Sequence, residues 1–157
     1  GAVLGVFHAG HTDRGTAAEV SGAVSTADVP GLGDGSYAVL AHRSGELRRL
    51  APGDRWPVRL GVGEWEIFTF APVRHGRASL GLADKYNAGG AVRNRLDAPD
   101  RMSLSVRDGG ELVLWAERRP AGLTVDGEPA DWDYDPPTGK VTARLAAAGN
   151  VLMFGAD

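Results

Sequence analysis

The sequence predicts an all-β fold: an antiparallel, Greek-key-like β-sandwich of about ten to twelve strands. Three observations carry that expectation. Residues 123–145 (LTVDGEPADWDYDPPTGKVTARL) spell out three successive strands with their turns. Within them Ala130, Trp132 and Tyr134 alternate with Asp131, Asp133 and Asp135, as Val141, Ala143 and Leu145 do with Lys140, Thr142 and Arg144. A period of two puts each set on its own face of a half-buried strand. Turn chemistry is the second observation: Asp126-Gly127 and Pro136-Pro137-Thr138-Gly139 separate those strands, and strand-like runs and turns recur along the chain every 8–12 residues or so. Glycine is the third, at 23 of 157 residues, a richness suited to a fold with many turns.

The elements follow in order. Residues 2–7 (AVLGVF) form a short continuous apolar run, expected of a strand covered on both faces. Residues 8–35 are polar and glycine-rich, with weak periodicity and no good helix. A strand at 37–42 (YAVLAH), a turn at Arg43-Ser44-Gly45 and a return strand at 46–50 come next, and Pro52-Gly53-Asp54 turns again. Strands at 58–62 and 64–73 follow. The second (EWEIFTFAPV) is the longest and most aromatic, with Trp65, Ile67 and Thr69 on one face and Glu64, Glu66, Phe68 and Phe70 on the other. Residues 77–82 form a strand and 84–100 a loop, after which strands at 102–106 and 111–117, the three already described, and 151–154 complete the chain. No repeat and no Pro/Ser linker divides it, so a single domain over 1–157 is expected, burying about 70% of its unfolded surface.

Charge and composition exclude several classes. Net charge is −3, with arginines and acids interspersed, so no clustered basic face exists for nucleic acid. Without cysteine there is no disulfide framework and no thiolate zinc site. That suits the cytoplasm and is compatible with export. No signal peptide or spanning segment is legible, so no membrane partner is expected. The chain opens without Met on a strand-like run, as expected of a processed product or a fragment of something longer.

Candidate chemistry is sparse. Asp131, Asp133 and Asp135 fail as a calcium loop, because Pro136 and Thr142 occupy the positions needing glycine and a bidentate glutamate. Gly31, Gly33 and Gly35 fit neither phosphate-loop spacing. His8, His11, His42 and His75 are scattered, and no Gly-x-Ser-x-Gly elbow occurs. Glu64 and Glu66 share a strand face without a cleft, which favours a structural role. Trp56, Trp65, Trp115, Trp132, Tyr37 and Tyr134 either stack on sugars or fill the core, and the alternation around Trp132 and Tyr134 favours core for those two. No residue is assigned to catalysis, to a metal or to a cofactor. One loop remains as a candidate interface or ligand-approach site: Tyr86, Asn87, Gly89 and Gly90, whose paired glycines let backbone come close to a partner. An internal tight turn accounts for the same glycines.

Several blocks, in order, carry a resemblance. GVFHAG at Gly5, STADVPGL at Ser25, YAVLAHRSGEL at Tyr37, GVGEWEIFTFAPV at Gly61, LGLADKYNAGGAV at Leu80 and VDGEPADWDYDPPTGKVTARL at Val125 resemble the C-terminal region of raffinose synthases. The related seed imbibition proteins and alkaline α-galactosidases, of the glycoside hydrolase family 36 group, share that region. Departures at His8, Glu111-Leu112-Val113 and Ala116-Glu117 point to a distant member rather than a plant raffinose synthase. The resemblance implies a parent polypeptide with a catalytic (β/α)8 barrel, whose loops carry the catalytic aspartates, followed by an antiparallel β-sandwich. A barrel needs about 250 residues of alternating strands and helices, so only the sandwich is matched and no catalytic residue transfers to this chain. The implied role is a non-catalytic C-terminal β-sandwich that packs on and stabilises the barrel of the same polypeptide. The parent would act on α-galactosides by hydrolysis or galactosyl transfer. An independent carbohydrate-binding module is the alternative. Packing on a barrel predicts an exposed apolar patch of several hundred Å² or so.

Overall fold

The computed structural model describes residues 1–155. The expected domain span of 1–157 therefore includes two residues, 156 and 157, that lie outside the described ones. In chain order the strands are β1 (Ala2–Phe7), β2 (His11–Thr12), β3 (Gly15–Thr16), β4 (Glu19–Val24), β5 (Tyr37–Ala41), β6 (Leu47–Leu50), β7 (Trp56–Gly61), β8 (Trp65–Pro72) and β9 (Arg77–Leu82). They continue as β10 (Val92–Asp97), β11 (Arg101–Val106), β12 (Gly110–Ala116), β13 (Gly122–Val125), β14 (Glu128–Pro129), β15 (Trp132–Asp135), β16 (Lys140–Leu145) and β17 (Gly149–Phe154). Two short 3-10 turns, Thr26–Asp28 and Ala88–Ala91, are the helical elements among the described residues. Every strand pairing is antiparallel. The all-β, sandwich-type expectation holds.

Four sheets carry the fold, ordered β1-β8-β5-β6, β4-β7, β15-β16-β12-β9 and β10-β11-β17-β13-β14, with β2-β3 as a small separate hairpin. Three apolar clusters alternate with them. Trp56 and Val24 of the β4-β7 pair meet Tyr37, Val39, Phe68 and Phe70 of the first sheet. The other face of that sheet gives Ala38, Leu40, Leu47 and Ala71, which meet Ala78, Leu80, Val113 and Trp115 of β9 and β12. Beyond β12, Leu112, Leu114, Val141 and Leu145 close on Met102, Leu104, Val151 and Met153. The sheets are thus stacked face to face, and β5 and β12 lie inside the stack. Both read as unbroken apolar runs because odd and even positions enter different cores: all five residues of β5 are buried. Trp56 and Phe68 lock the first cluster edge to face at 5.2 Å, with the Arg48 guanidinium 4.5 Å from the Trp56 ring centroid.

Several local expectations change. Among the described residues seventeen strands replace about ten to twelve, three of them only two residues long. The three strands read in 123–145 are four, the short β14 being the addition. Residues 8–35 contain β2, β3 and β4, and the loop at 84–100 contains β10. Both β4 (EVSGAV) and β10 (VRNRLD) bury little, so their sequences lack the apolar alternation that marks a strand. Nor is β1 covered on both faces: Ala2, Leu4 and Val6 pack inward while Val3 and Phe7 stay outside. Trp132 and Tyr134 do turn to the core, and Asp131, Asp133 and Asp135 are all exposed. No helix of the described residues is long and apolar enough to cross a membrane.

Candidate interface and adjoining cleft

The outer face of the first sheet is half covered. On its β5-β6 side the third cluster shields it. On the β1 side the antiparallel register sets Val3 opposite Thr69, Gly5 opposite Ile67 and Phe7 opposite Trp65; Thr69 is buried and Trp65 meets Tyr86, while Val3 and Phe7 stand open. Phe7 is 65% exposed and Val3 47%. The Phe7 ring folds back over Gly5, where an added Cβ would come within 2.9 Å of it, so glycine lets the ring lie flat along the strand. Trp65 meets Tyr86 edge to face at 5.8 Å, and Arg43 sits 5.8 Å from the Trp65 ring centroid while donating to the Trp65 carbonyl at 3.3 Å. Phe7, Trp65 and Tyr86 form an aromatic row at one end of this open face.

The candidate loop borders the same face. Its tight contact is made by Ala88, whose carbonyl oxygen presses on Gly81 of β9. Gly81 has φ +90°, and a Cβ there would lie 1.9 Å from that oxygen, so only glycine fits. The sequence reading placed the close approach at Gly89 and Gly90. Gly90 instead carries the Asn87 side chain across it, its hypothetical Cβ 2.7 Å from Asn87 Nδ2, and Gly89 has open space beside it. Buried Ala88 and Ala91 anchor the turn. Lys85 pins its start by an ion pair to Asp108. That hydrogen bond, then the Gly109 amide and the Lys85 charge, hold the Asp108 carboxyl below the usual carboxylate range.

Between this turn, β1, β8 and β10 lies a cleft of about 470 Å³, bordered by Val3, Thr69, Ser79, Asn87, Gly89 and Arg93 among others. Tyr86 is not among its lining residues, so the structure divides the four candidate residues: Tyr86 joins the aromatic row, and Asn87, Gly89 and Gly90 join the cleft. Thr69 Oγ1 shares a 2.8 Å hydrogen bond with His42 Nε2, whereas the buried hydroxyl of Ser79 has no partner. The sequence reading missed Phe7, Ser79, Gly81 and Arg93. Gly81 inside the LGL triplet of β9 was the one available signal, since an isolated glycine in a strand marks a bulge or a close backbone approach. The β9-β12 register does slip there.

The remaining candidates serve structure. Glu66 is buried and accepts from the Arg43 and Ser44 amides at 2.7 and 3.1 Å, and Glu64 accepts from the Gly61 amide at 2.7 Å. Trp56, Trp115 and Tyr37 are buried. No group of three His, Asp or Glu side chains among the described residues is placed to hold a metal ion.

Fold and surface together define an antiparallel β protein with one unfinished sheet face. The family model described as raffinose synthase or seed imbibition protein Sip1 matches residues 10–145. Among relatives, a probable galactinol–sucrose galactosyltransferase 1 of Arabidopsis thaliana is 32% identical over 152 residues, covering 86% of this chain and 20% of its own length. A galactinol–sucrose galactosyltransferase of Oryza sativa is 30% identical over 152 residues, covering 87% of this chain and 19% of itself. The chain belongs to the raffinose synthase and seed imbibition protein family, and it spans about a fifth of the length of the curated relatives it matches.

Proposed function

We propose that this chain is the non-catalytic β module of a larger α-galactoside-processing enzyme, packing on the enzyme's (β/α)8 catalytic body. The names of the relatives favour galactosyl transfer over hydrolysis as the parent reaction. The observation that carries the reading is the uncovered half of the β1-β8 face. Val3, Phe7, Trp65 and Tyr86 make an apolar row on the solvent side of that face. Covering one large apolar side chain contributes about 1.5–3 kcal/mol, so four such groups suffice to hold two bodies together once they share a chain.

The test uses the parent enzyme with Phe7→Glu and Tyr86→Glu in this region, against the exposed Leu96→Glu as control. The first two should lower the unfolding temperature of the parent and its activity, with the isolated module's own stability unchanged, while L96E does neither. Equal behaviour of all three would sink the docking reading. Turnover of galactinol and sucrose by the pure chain would sink the non-catalytic one. The exposed aromatic row also supports a second reading, a sugar-binding module. Saturable NMR shifts of Trp65 and Tyr86 on addition of raffinose, melibiose or galactose would favour it over docking.

A further inference from the structure

We propose that the cleft beside the 86–90 turn is a seat for a small oxyanion, a carboxylate or a phosphate. At about 470 Å³ it has room for a group of monosaccharide size. Ser79 lines it, only 9% exposed, with a hydroxyl that finds no hydrogen-bond partner. Buried hydroxyls in folded proteins are nearly always satisfied, and an unsatisfied one marks a place where a ligand or another chain completes the network. Asn87 also lines the cleft, its side chain lying across Gly90, and Gly89 leaves space there that any side chain would narrow.

Charge identifies the ligand class. The charged side chains lining the cleft are two arginines, Gly1 with its α-amino group lines it too, and no carboxylate is among its described lining residues, in a chain whose net charge is −3. Arg95 is largely committed: Nε donates to Asp97 at 2.9 Å, and its two Nη atoms to the Pro72 and Arg77 carbonyls. Arg93 has no ion-pair partner among the described residues and is exposed on the edge strand β10, next to the register slip between Arg93 and Leu96. A free guanidinium fork, a hydroxyl and an amide are the donors that recognise a planar or tetrahedral oxyanion. A neutral polyol would use the hydroxyl and the amide but would gain nothing from Arg93.

The oxyanion has two possible sources: a free small molecule, or an Asp or Glu side chain of adjoining polypeptide. The experiment separates them. Sodium phosphate, sodium acetate and galactose are titrated into the chain at constant ionic strength, followed by amide NMR, and phosphate is then titrated into the parent enzyme. One of the anions should shift the Ser79, Asn87, Gly89 and Gly90 amides saturably. Arg93→Gln should weaken that binding at least about tenfold, as loss of a charge-assisted pair does. Ser79→Ala should weaken it several-fold without lowering the melting temperature, because the hydroxyl it removes had no partner to lose. The chain is used with its Gly1 amine acetylated, so that this group carries no charge in either protein; binding to both chain and parent then assigns a free ligand, and binding to the chain alone assigns a side chain of the parent. Shifts that do not saturate, binding indifferent to R93Q, or preference for galactose would overturn the proposal.

Discussion

Gly81 and Gly89 lie eight positions apart and face opposite demands. At Gly81 a side chain would need both a left-handed backbone and the space taken by the Ala88 carbonyl oxygen, 1.9 Å away. At Gly89 the space is open and φ is not in the left-handed range. Gly81→Ala should therefore destabilise the chain by about 3 kcal/mol or more, from strain plus forced displacement of the turn. Gly89→Ala should stay within about 0.5 kcal/mol of wild type. Urea unfolding of the two variants decides this, and comparable losses would contradict the assigned packing. From sequence the glycine pair looked like the special backbone, because adjacent glycines are conspicuous and a lone one in a strand is not. Which glycine is constrained depends on what lies across from it, and Ala88 reaches Gly81 only after the turn has docked on β9.

The turn and its tether are the element on which pH should act. Asp108 is exposed and its carboxyl is held below the ordinary value of 3.8 by Lys85 and the Gly109 amide. A depressed folded value means the contribution is present above the unfolded pKa and lost as pH falls through the folded one. The turn should therefore be ordered at neutral pH and loosen only below about pH 3.8, the unperturbed carboxylate value. Asp108→Asn should loosen it already at neutral pH, and the two proteins should converge in acid. Amide exchange of residues 85–90 reads the difference directly. Global stability should hardly move, since an exposed pair contributes little. If D108N matched wild type at pH 7, the tether would be an incidental surface contact. Strand elements were legible in proportion to their burial. β5 and β12 were plain because both faces of each enter a core, while β4 and β10 were hidden because their polar side chains meet water. The continuous apolar pattern of β1 suggested two covered faces, and its outer one stands open at Val3 and Phe7.

At the scale of the whole molecule, the sheet stack was the least legible feature. Alternation tells which residues share a face, but not which face meets which, because the pairings of β1 with β8 and of β9 with β12 join segments far apart in the chain. The three interior clusters also differ in kind. Those on the outside contain Trp56, Phe68 and Phe70 on one flank and a long series of leucines and methionines on the other. The middle one has eight buried members, three of them alanine. Small side chains bring β5 and β9 close together but remove little apolar area from water. That layer is expected to open first. Under native conditions the β1–β8 block and the β9–β17 block should part there before either loses its own ladder, giving two cooperative units in hydrogen exchange. Val113→Ala should lower the opening energy of the boundary amides by about 1–2 kcal/mol while leaving the slowest amides of each block less affected. The chain would then open half of itself at a time, and the half that carries Val3 and Phe7 would keep its ladder while the other half parted.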